Sequence, residues 1–256
     1  MGYDLLLAAI VAALGWSAWH NRGRMEKFRA LTDTDERQRT FKRWTLSSFA
    51  IYGLGGAALL ALIGRAGSLV SFPAEFRPVA ALVGPGLAQD ASQTGSMLAG
   101  MVTGVIIATM ALFIVWRFVL GKRTQPVIGD VAALFPRNRA EAIALLPLAI
   151  NAGLSEEIMF RVALPLLGTL ATGSAVAGFA IAAVTFGLMH WYQGWRGVLL
   201  TGLASGVFIS LYVSSGTLIV PIVIHALVDV MLLVVRPSIS LWLDGRQAPP
   251  AAAQTR

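Results

Sequence analysis

Residues 141–170 read EAIALLPLAI NAGLSEEIMF RVALPLLGTL, a long apolar stretch with very few charges. A bilayer-spanning helix needs ~20 predominantly apolar residues, so this stretch is long enough for one kinked helix or for two helices. Pro147 and Pro165 are expected to bend whatever helix they occupy. The apolar character continues to Val235, and it predicts further helices near 174–192, 196–213 and 217–235.

The whole chain has the composition of a membrane protein. Of its 256 residues, 56% are hydrophobic and 13% are charged, whereas soluble domains carry roughly 25% charged residues. The mean hydropathy is +0.71. Further apolar runs at 3–19, 45–64 and 96–120 add to those after residue 140. A soluble globule is excluded, and the fold class predicted is all-α: a polytopic transmembrane bundle of about seven to eight helices.

The absence of cysteine and the placement of charge exclude several functions. With no cysteine in the chain, disulfides, a thiol nucleophile, iron–sulfur clusters and Cys-ligated zinc are ruled out. The net charge of +7 comes from basic residues that lie between apolar runs. Such residues orient membrane helices, so nucleic acid is not an expected partner.

The basic connectors predict the orientation and the division of the chain. Connectors 21–43 and 117–139 carry eight and five Lys/Arg, and connector 65–93 carries two. The positive-inside rule then places the N-terminus outside and the C-terminus in the cytoplasm, in a cytoplasmic (inner) membrane. We expect N-terminal helices with basic cytoplasmic loops over 1–140, a C-terminal helical core over 141–235 and a disordered tail over 236–256. The solvated loops would contact anionic membrane lipid.

The last apolar stretch carries more ionisable groups than a lipid-facing bundle can accommodate. Its formal charges are Glu141, Glu156, Glu157, Arg161, Arg196 and Asp229. Glu141 and Arg196 are expected at helix ends, solvated by the interface. The other four share the membrane interior with His190 and His225, and each charge there costs roughly 2.5–3.5 kcal/mol. We therefore expect these groups to pair around a water-filled cavity.

Helical spacing shows how these groups can meet. Glu157 and Arg161 are four residues apart, as are Phe186 and His190, and also His225 and Asp229, and residues four apart share a helix face. Glu157 and Arg161 should neutralise each other, which leaves Glu156 free. Glu156 and His190 could then activate a water molecule, while His225, oriented by Asp229, could stabilise an oxyanion.

These three pairs resemble a known set of motifs. Residues 156–161 (EEIMFR), 186–190 (FGLMH) and 225–229 (HALVD) are similar to the EExxxR, FxxxH and HxxxN/D motifs of the CPBP intramembrane proteases. That family includes CAAX prenyl endoproteases and bacteriocin-processing and bacteriocin-immunity proteins. The resemblance covers roughly residues 141–235.

The resemblance implies a role for each motif residue. The catalytic residues would be Glu156, His190, His225 and Asp229. The residues that support them would be Glu157, Arg161 and Phe186. The third motif ends in Asp229, where the best-understood CAAX endoproteases have Asn. An ionised Asp cannot donate a hydrogen bond to an oxyanion, so we expect Asp229 to orient His225 or to bind a metal.

The sequence is compatible with both a metal-dependent and a metal-free mechanism. Members of the family are often called metalloproteases, and Glu156, His190 and His225 could supply the three protein ligands of a catalytic zinc site. The chain has no HExxH motif, and a glutamate–histidine pair could also activate water without a metal.

The activity expected is endopeptidase hydrolysis of a membrane-associated peptide or protein. Two alternatives remain: a non-catalytic membrane protein that binds a peptide or confers immunity, and a proton-coupled transporter. Outside the motifs, the spacings Gly100-x-x-x-Gly104 and Gly202-x-x-x-Gly206 predict close helix packing. The aromatic residues at 191, 192 and 195 indicate an interfacial belt.

Overall fold

The computed structural model describes residues 2–83, 91–121 and 131–247, and within them the fold is all-α. Eight helices follow one another: α1 Tyr3–Arg29, α2 Thr34–Leu62, α3 Arg77–Val83, α4 Gln93–Val119, α5 Arg139–Thr172, α6 Ala175–Met189, α7 Gly194–Ser215 and α8 from Ile219 to Gln247. Six of these, all except α3 and α6, are long and apolar enough to cross a membrane. The predicted polytopic helical bundle is thus confirmed.

The charged connector 21–43 is helical, where we expected a solvated loop. Helix α1 runs to Arg29, and α2 already begins at Thr34. Asp33 caps α2, since its side chain accepts a hydrogen bond from the backbone N–H of Glu36 at 2.8 Å. Acidic residues in the first turn also favour the helix through its dipole. The density of charged residues therefore identified the region as polar, but the helix ends predicted from it were wrong.

Glu141 is also placed differently from our expectation of an interfacial, solvated side chain. It is fully buried at the start of α5 and accepts a hydrogen bond from Nε of Arg37 in α2 at 3.0 Å. Arg137 binds the same carboxylate at 3.2 Å, and the guanidinium of Arg37 lies over the ring of Phe28 at 4.3 Å. This clamp joins α1, α2 and α5 at one end of the bundle.

The apolar stretch at 141–170, expected as one kinked helix or two helices, lies within the single helix α5. It is continuous, and residues Ile158–Ala163 form a π-helical stretch between two α-helical parts. Pro165 lies two residues after this stretch and has no N–H to donate to the preceding turn. Helix α8 has a second such stretch at Val230–Val235, immediately after Asp229. Wide turns of this kind often occur at functional sites.

Of the four glycines in the two GxxxG spacings, Gly202 lies at a close helix contact. A Cβ added at Gly100, Gly104 or Gly206 would meet no described atom within 4 Å, so the prediction was wrong for these three, whereas a Cβ on Gly187 of α6 would lie 3.3 Å from the Cα of Gly202 in α7. A Cβ at Gly153 of α5 would instead lie 2.7 Å from the Cα of Ala226 in α8. The backbones of these two helices touch there because Gly153 has no side chain.

The end of the chain is more ordered than we expected. Residues 236–247, assigned from sequence to a disordered tail, continue α8 as Arg236–Gln247. Asp244 in this segment pairs with Arg117 of α4, whose side chain is buried. This ion pair ties the last turns of α8 to the bundle, whereas residues 248–256 lie outside the described ranges.

Candidate active site

Three helices bring the predicted site residues together. Glu156, Glu157 and Arg161 lie where the α-helical part of α5 passes into its π-helical stretch. Phe186 and His190 lie at the end of α6, and His225 and Asp229 lie on α8. Gly153, one turn before Glu156, lets α5 and α8 approach at Ala226, the residue after His225. The glycine contact therefore sets the distance between the glutamate pair and His225.

Glu157 is the centre of a fully buried ion pair. Its Oε2 lies 2.8 Å from Nε of Arg161, and its Oε1 accepts a hydrogen bond from Nη2 of the same side chain at 3.0 Å. Neither side chain is exposed. The i, i+4 spacing predicted this pair, and it gives each charge its counter-charge away from water, as buried charges require.

Glu157 also holds His225. Its Oε1 lies 2.8 Å from Nδ1 of the imidazole. A carboxylate held by Arg161 only accepts hydrogen bonds, so Nδ1 carries the proton. We expected Asp229 to orient His225 because the two are four residues apart on α8. Glu157 takes that position because it reaches the imidazole from α5, a relation between helices that spacing within one helix cannot reveal.

The other nitrogen of His225 faces two carboxylates. Its Nε2 lies 4.0 Å from Oε2 of Glu156 and 3.9 Å from Oδ2 of Asp229. Both distances are too long for a direct hydrogen bond and suit a bridging water molecule. Unlike Glu157, the side chains of Glu156 and Asp229 are partly exposed, at 15% and 25%. The accessible polar atoms of the site therefore lie on the Nε2 side of His225.

His190 lies beside this cluster, one aromatic ring away from His225. The ring of Phe186 is 4.7 Å from that of His190 and 6.2 Å from that of His225. Nδ1 of His190 lies 2.8 Å from the backbone carbonyl oxygen of Phe186. Because a carbonyl only accepts, Nδ1 carries the proton and Nε2 is left as an acceptor. His190 can thus take a proton or accept a hydrogen bond from water through Nε2.

Helix α7 contributes two residues that the sequence did not single out. Ser205 is fully buried and accepts a hydrogen bond from Nη1 of Arg161 at 3.0 Å. The ring of Phe208 stacks on His225 at 4.6 Å between centroids. The guanidinium of Arg161 lies between Phe186 and Phe208, at 4.8 and 5.4 Å from their centroids. These rings exclude water from the ion pair, which strengthens it.

Two tyrosines also adjoin the site. The ring of Tyr192 lies 5.9 Å from that of His190, and its hydroxyl oxygen accepts a hydrogen bond from Nε2 of Gln193 at 3.1 Å. Tyr52 of α2 is buried, and its ring lies 5.7 Å from that of Phe160 in the π-helical stretch of α5. From sequence we interpreted Tyr192 only as part of an interfacial aromatic belt. Its position two residues after His190, the last residue of the FxxxH motif, was the signal that could have placed it here.

The predicted zinc ligands do not form a ligand group in this arrangement. Among the described residues, no set of three histidine, aspartate or glutamate side chains could hold a metal ion. Nδ1 of His225 is bound to Glu157 and that of His190 to a backbone carbonyl, so only the Nε2 atoms of these histidines could bind a metal. Zinc needs at least three converging donors at about 2.0–2.2 Å. The described side chains therefore do not provide the ligand set that zinc requires.

The comparison with protein families gives a direct match over this part of the chain. Residues 138–231 match the model described as "Type II CAAX prenyl endopeptidase Rce1-like". This segment belongs to that family. It contains all three motifs and agrees with the resemblance to CPBP proteases drawn from them. No curated protein and no solved structure matches the chain significantly.

Proposed function

We propose that the protein is an intramembrane endopeptidase that hydrolyses a peptide bond in a membrane-associated protein. One observation carries the proposal: Nε2 of His225 faces Glu156 and Asp229 at about 4 Å, while Glu157 fixes the opposite nitrogen. Polar groups at membrane depth are costly and mark functional sites. A general base, an oriented imidazole and space for water between them are the components of a hydrolytic site.

In this proposal Glu156 and His190 activate the water molecule. Glu156 has no hydrogen-bonded cation of its own in the described structure, whereas Glu157 is committed to Arg161 and His225. The carboxylate of Glu156 takes one proton as the water oxygen attacks the scissile carbonyl carbon. Nε2 of His190 accepts a hydrogen bond from the same water. The C–N bond then breaks, and the proton passes to the leaving amine.

His225 stabilises the negative charge that develops on the carbonyl oxygen. Glu157 holds its Nδ1–H, so a protonated His225 presents Nε2–H to the substrate. Asp229 lies near this nitrogen and favours the positive imidazolium by its charge. Such a fixed donor, already oriented before the reaction, lowers the barrier because it needs no rearrangement.

The substrate class follows from the setting of the site. The candidate spans and the family match together support a membrane-associated protein substrate. We propose the cytoplasmic membrane as the location, with the N-terminus outside and the C-terminus in the cytoplasm, an orientation in which the shorter apolar helix α6 crosses together with the six long helices. Its lipid would then contact the basic residues near connectors 21–43 and 117–139.

Comparative proteomics of membranes tests this function and identifies the natural substrate in the same experiment. Membranes from cells that carry the wild type or Glu156→Gln would be compared for new peptide termini. We expect at least one membrane protein to accumulate uncleaved in the Glu156→Gln cells. Identical termini in both samples, with equal amounts of folded protein, would favour a non-catalytic membrane protein and contradict the proposal.

A further inference from the structure

The imidazole of His225 needs a restraint beyond its hydrogen bond to Glu157. That bond, 2.8 Å from Nδ1 to Oε1, fixes one atom of the ring. Rotation of a histidine ring about χ2 is broad and not confined to staggered wells, so one hydrogen bond leaves the ring free to rock about Nδ1. Nε2 lies 4.0 Å from Glu156 and 3.9 Å from Asp229. The proposed reaction requires Nε2 to stay between these two carboxylates.

The ring of Phe208, on α7, supplies this restraint. Its centroid lies 4.6 Å from that of His225, and the planes of the two rings differ by 23°. This is a stacked pair at the short end of the 4.5–7 Å range in which aromatic rings interact. Phe208 is 8% exposed, so its neighbours keep the ring in place. A ring stacked on one face of the imidazole blocks rocking toward that face, which the bond to Glu157 alone permits.

Helix α7 is anchored to the same ion pair that holds His225. Ser205 is fully buried and accepts a hydrogen bond from Nη1 of Arg161 at 3.0 Å. Phe208 follows three residues later and therefore lies on the same face of α7. The guanidinium of Arg161 also lies 5.4 Å from the centroid of Phe208. Glu157 binds two groups, Arg161 and His225, and this face of α7 contacts both of them.

The other aromatic ring near His225 has a different geometry. Phe186 lies 6.2 Å from His225 with the ring planes 74° apart, an edge-on contact that does not cover a face of the imidazole. Its closer partner is His190, at 4.7 Å between centroids. The stacking restraint on His225 therefore comes from Phe208.

We propose that Phe208 is a positioning residue whose ring holds the plane of the His225 imidazole, so that Nε2 stays directed between Glu156 and Asp229. The inference rests on the proposed endopeptidase function and adds a residue outside the three motifs. Phe208 touches no reacting atom. It acts through His225, because a donor that is already oriented needs no rearrangement when charge develops on the oxyanion.

The test uses Phe208→Leu, which removes the aromatic face but keeps a large apolar side chain. The full-length protein in liposomes would be assayed with a prenylated CAAX peptide, the substrate class that the family description names. We expect kcat to fall at least about tenfold, since a shift of roughly 1 Å at a catalytic group can cost about 10²-fold in rate. KM should change less than about twofold, because His225 acts on the transition state. An unchanged kcat, or a loss that appears only in KM, would overturn the inference.

Two further variants separate stacking from the loss of a buried ring. Phe208→Tyr keeps the stacked ring and should stay within about threefold of the wild-type kcat. Phe179 on α6 is 4% exposed and also lies 4.6 Å from an aromatic neighbour, Phe76. It precedes His190 by eleven residues, about 16 Å along a helix, so Phe179→Leu should leave kcat unchanged. If Phe208→Tyr or Phe179→Leu is as slow as Phe208→Leu, the positioning role is wrong.

A measurement on the imidazole itself keeps the inference separate from the proposed function. The chain has three histidines, so isotope-labelled histidine gives few signals in a magnetic resonance spectrum. Exchange of the Nδ1–H of His225 with water reports how often its bond to Glu157 opens. This exchange should be about 3–10-fold faster in Phe208→Leu and unchanged in Phe179→Leu. If it differs in this way but no peptide is cleaved, the endopeptidase proposal fails and the positioning of His225 stands. Equal exchange in the wild type and Phe208→Leu would overturn the positioning role even in an active enzyme.

Discussion

Oε1 of Glu157 lies 2.8 Å from Nδ1 of His225, and this contact joins α5 to α8 at the centre of the site. The same carboxylate holds Arg161, so one side chain both neutralises a buried cation and orients the imidazole. The motif alone casts Glu157 as a supporting residue whose replacement should be milder than that of Glu156. For the stability of the fold, the geometry predicts the opposite order of the two replacements.

Glu157→Gln should destabilise the protein more than Glu156→Gln. Removing one partner of a buried ion pair leaves an uncompensated charge and costs about 3–5 kcal/mol. Glu156 is partly exposed, and its closest ionic neighbour is at 4.0 Å, so Glu156→Gln should keep the fold while losing activity. Heat- or denaturant-induced unfolding of the two purified variants in detergent measures the difference in stability. Equal stabilities of the two variants would show that Glu157 does not carry the ion pair.

Gly153→Ala should disrupt the site through the backbone. The added Cβ would lie 2.7 Å from the Cα of Ala226, so α5 and α8 must separate and the contact between Glu157 and His225 must lengthen. We expect activity to fall sharply and the midpoint of thermal unfolding to drop. Gly206→Ala is the matched control, because a Cβ there meets nothing within 4 Å. A harmless Gly153→Ala would contradict the close approach of the two helices.

Arg37→Met should weaken the clamp at the start of α5. It leaves Glu141 buried without the cation that binds it at 3.0 Å, and Arg137 alone remains as its ionic partner. A loss of about 3 kcal/mol is expected for a broken buried pair. Arg39, two residues later, is exposed, so Arg39→Met should be neutral within about 0.5 kcal/mol. Stabilities that do not differ between these variants would refute the clamp.

Asp229→Asn separates an electrostatic role from a metal-binding one. Oδ2 of Asp229 is 3.9 Å from Nε2 of His225, so the carboxylate acts through its charge and not through a direct hydrogen bond. We expect the rate to fall by about tenfold, less than the 10²–10³-fold that follows loss of a direct donor. Added zinc should change nothing. A collapse of activity that excess zinc restores would instead identify Asp229 as a metal ligand.

Much of the site could be predicted because several of its interacting residues lie on the same helix. The pairs at i and i+4 placed Glu157 with Arg161 and Phe186 beside His190, and apolar length predicted the bundle. These features depend on helical periodicity and on the cost of charge in a membrane. Both are local properties of the sequence and do not depend on how the helices pack.

What the sequence did not predict depends on contacts between helices. Ser205 and Phe208 carry no motif, and they join the site only because α7 packs beside α5 and α8. The burial of Glu141 likewise depends on Arg37, which is over one hundred residues away in the chain. Gly153 lacks a GxxxG partner, so its role emerged only from the position of Ala226.

The most direct test of the central claim is hydrolysis by the purified protein in heavy-oxygen water. A prenylated CAAX peptide would be incubated with liposomes containing the wild type or Glu156→Gln, and the products analysed by mass spectrometry. The account predicts one heavy oxygen atom in the new carboxylate and a loss of at least about 10²-fold in kcat/KM for Glu156→Gln. Cleavage by folded Glu156→Gln at the wild-type rate would contradict it.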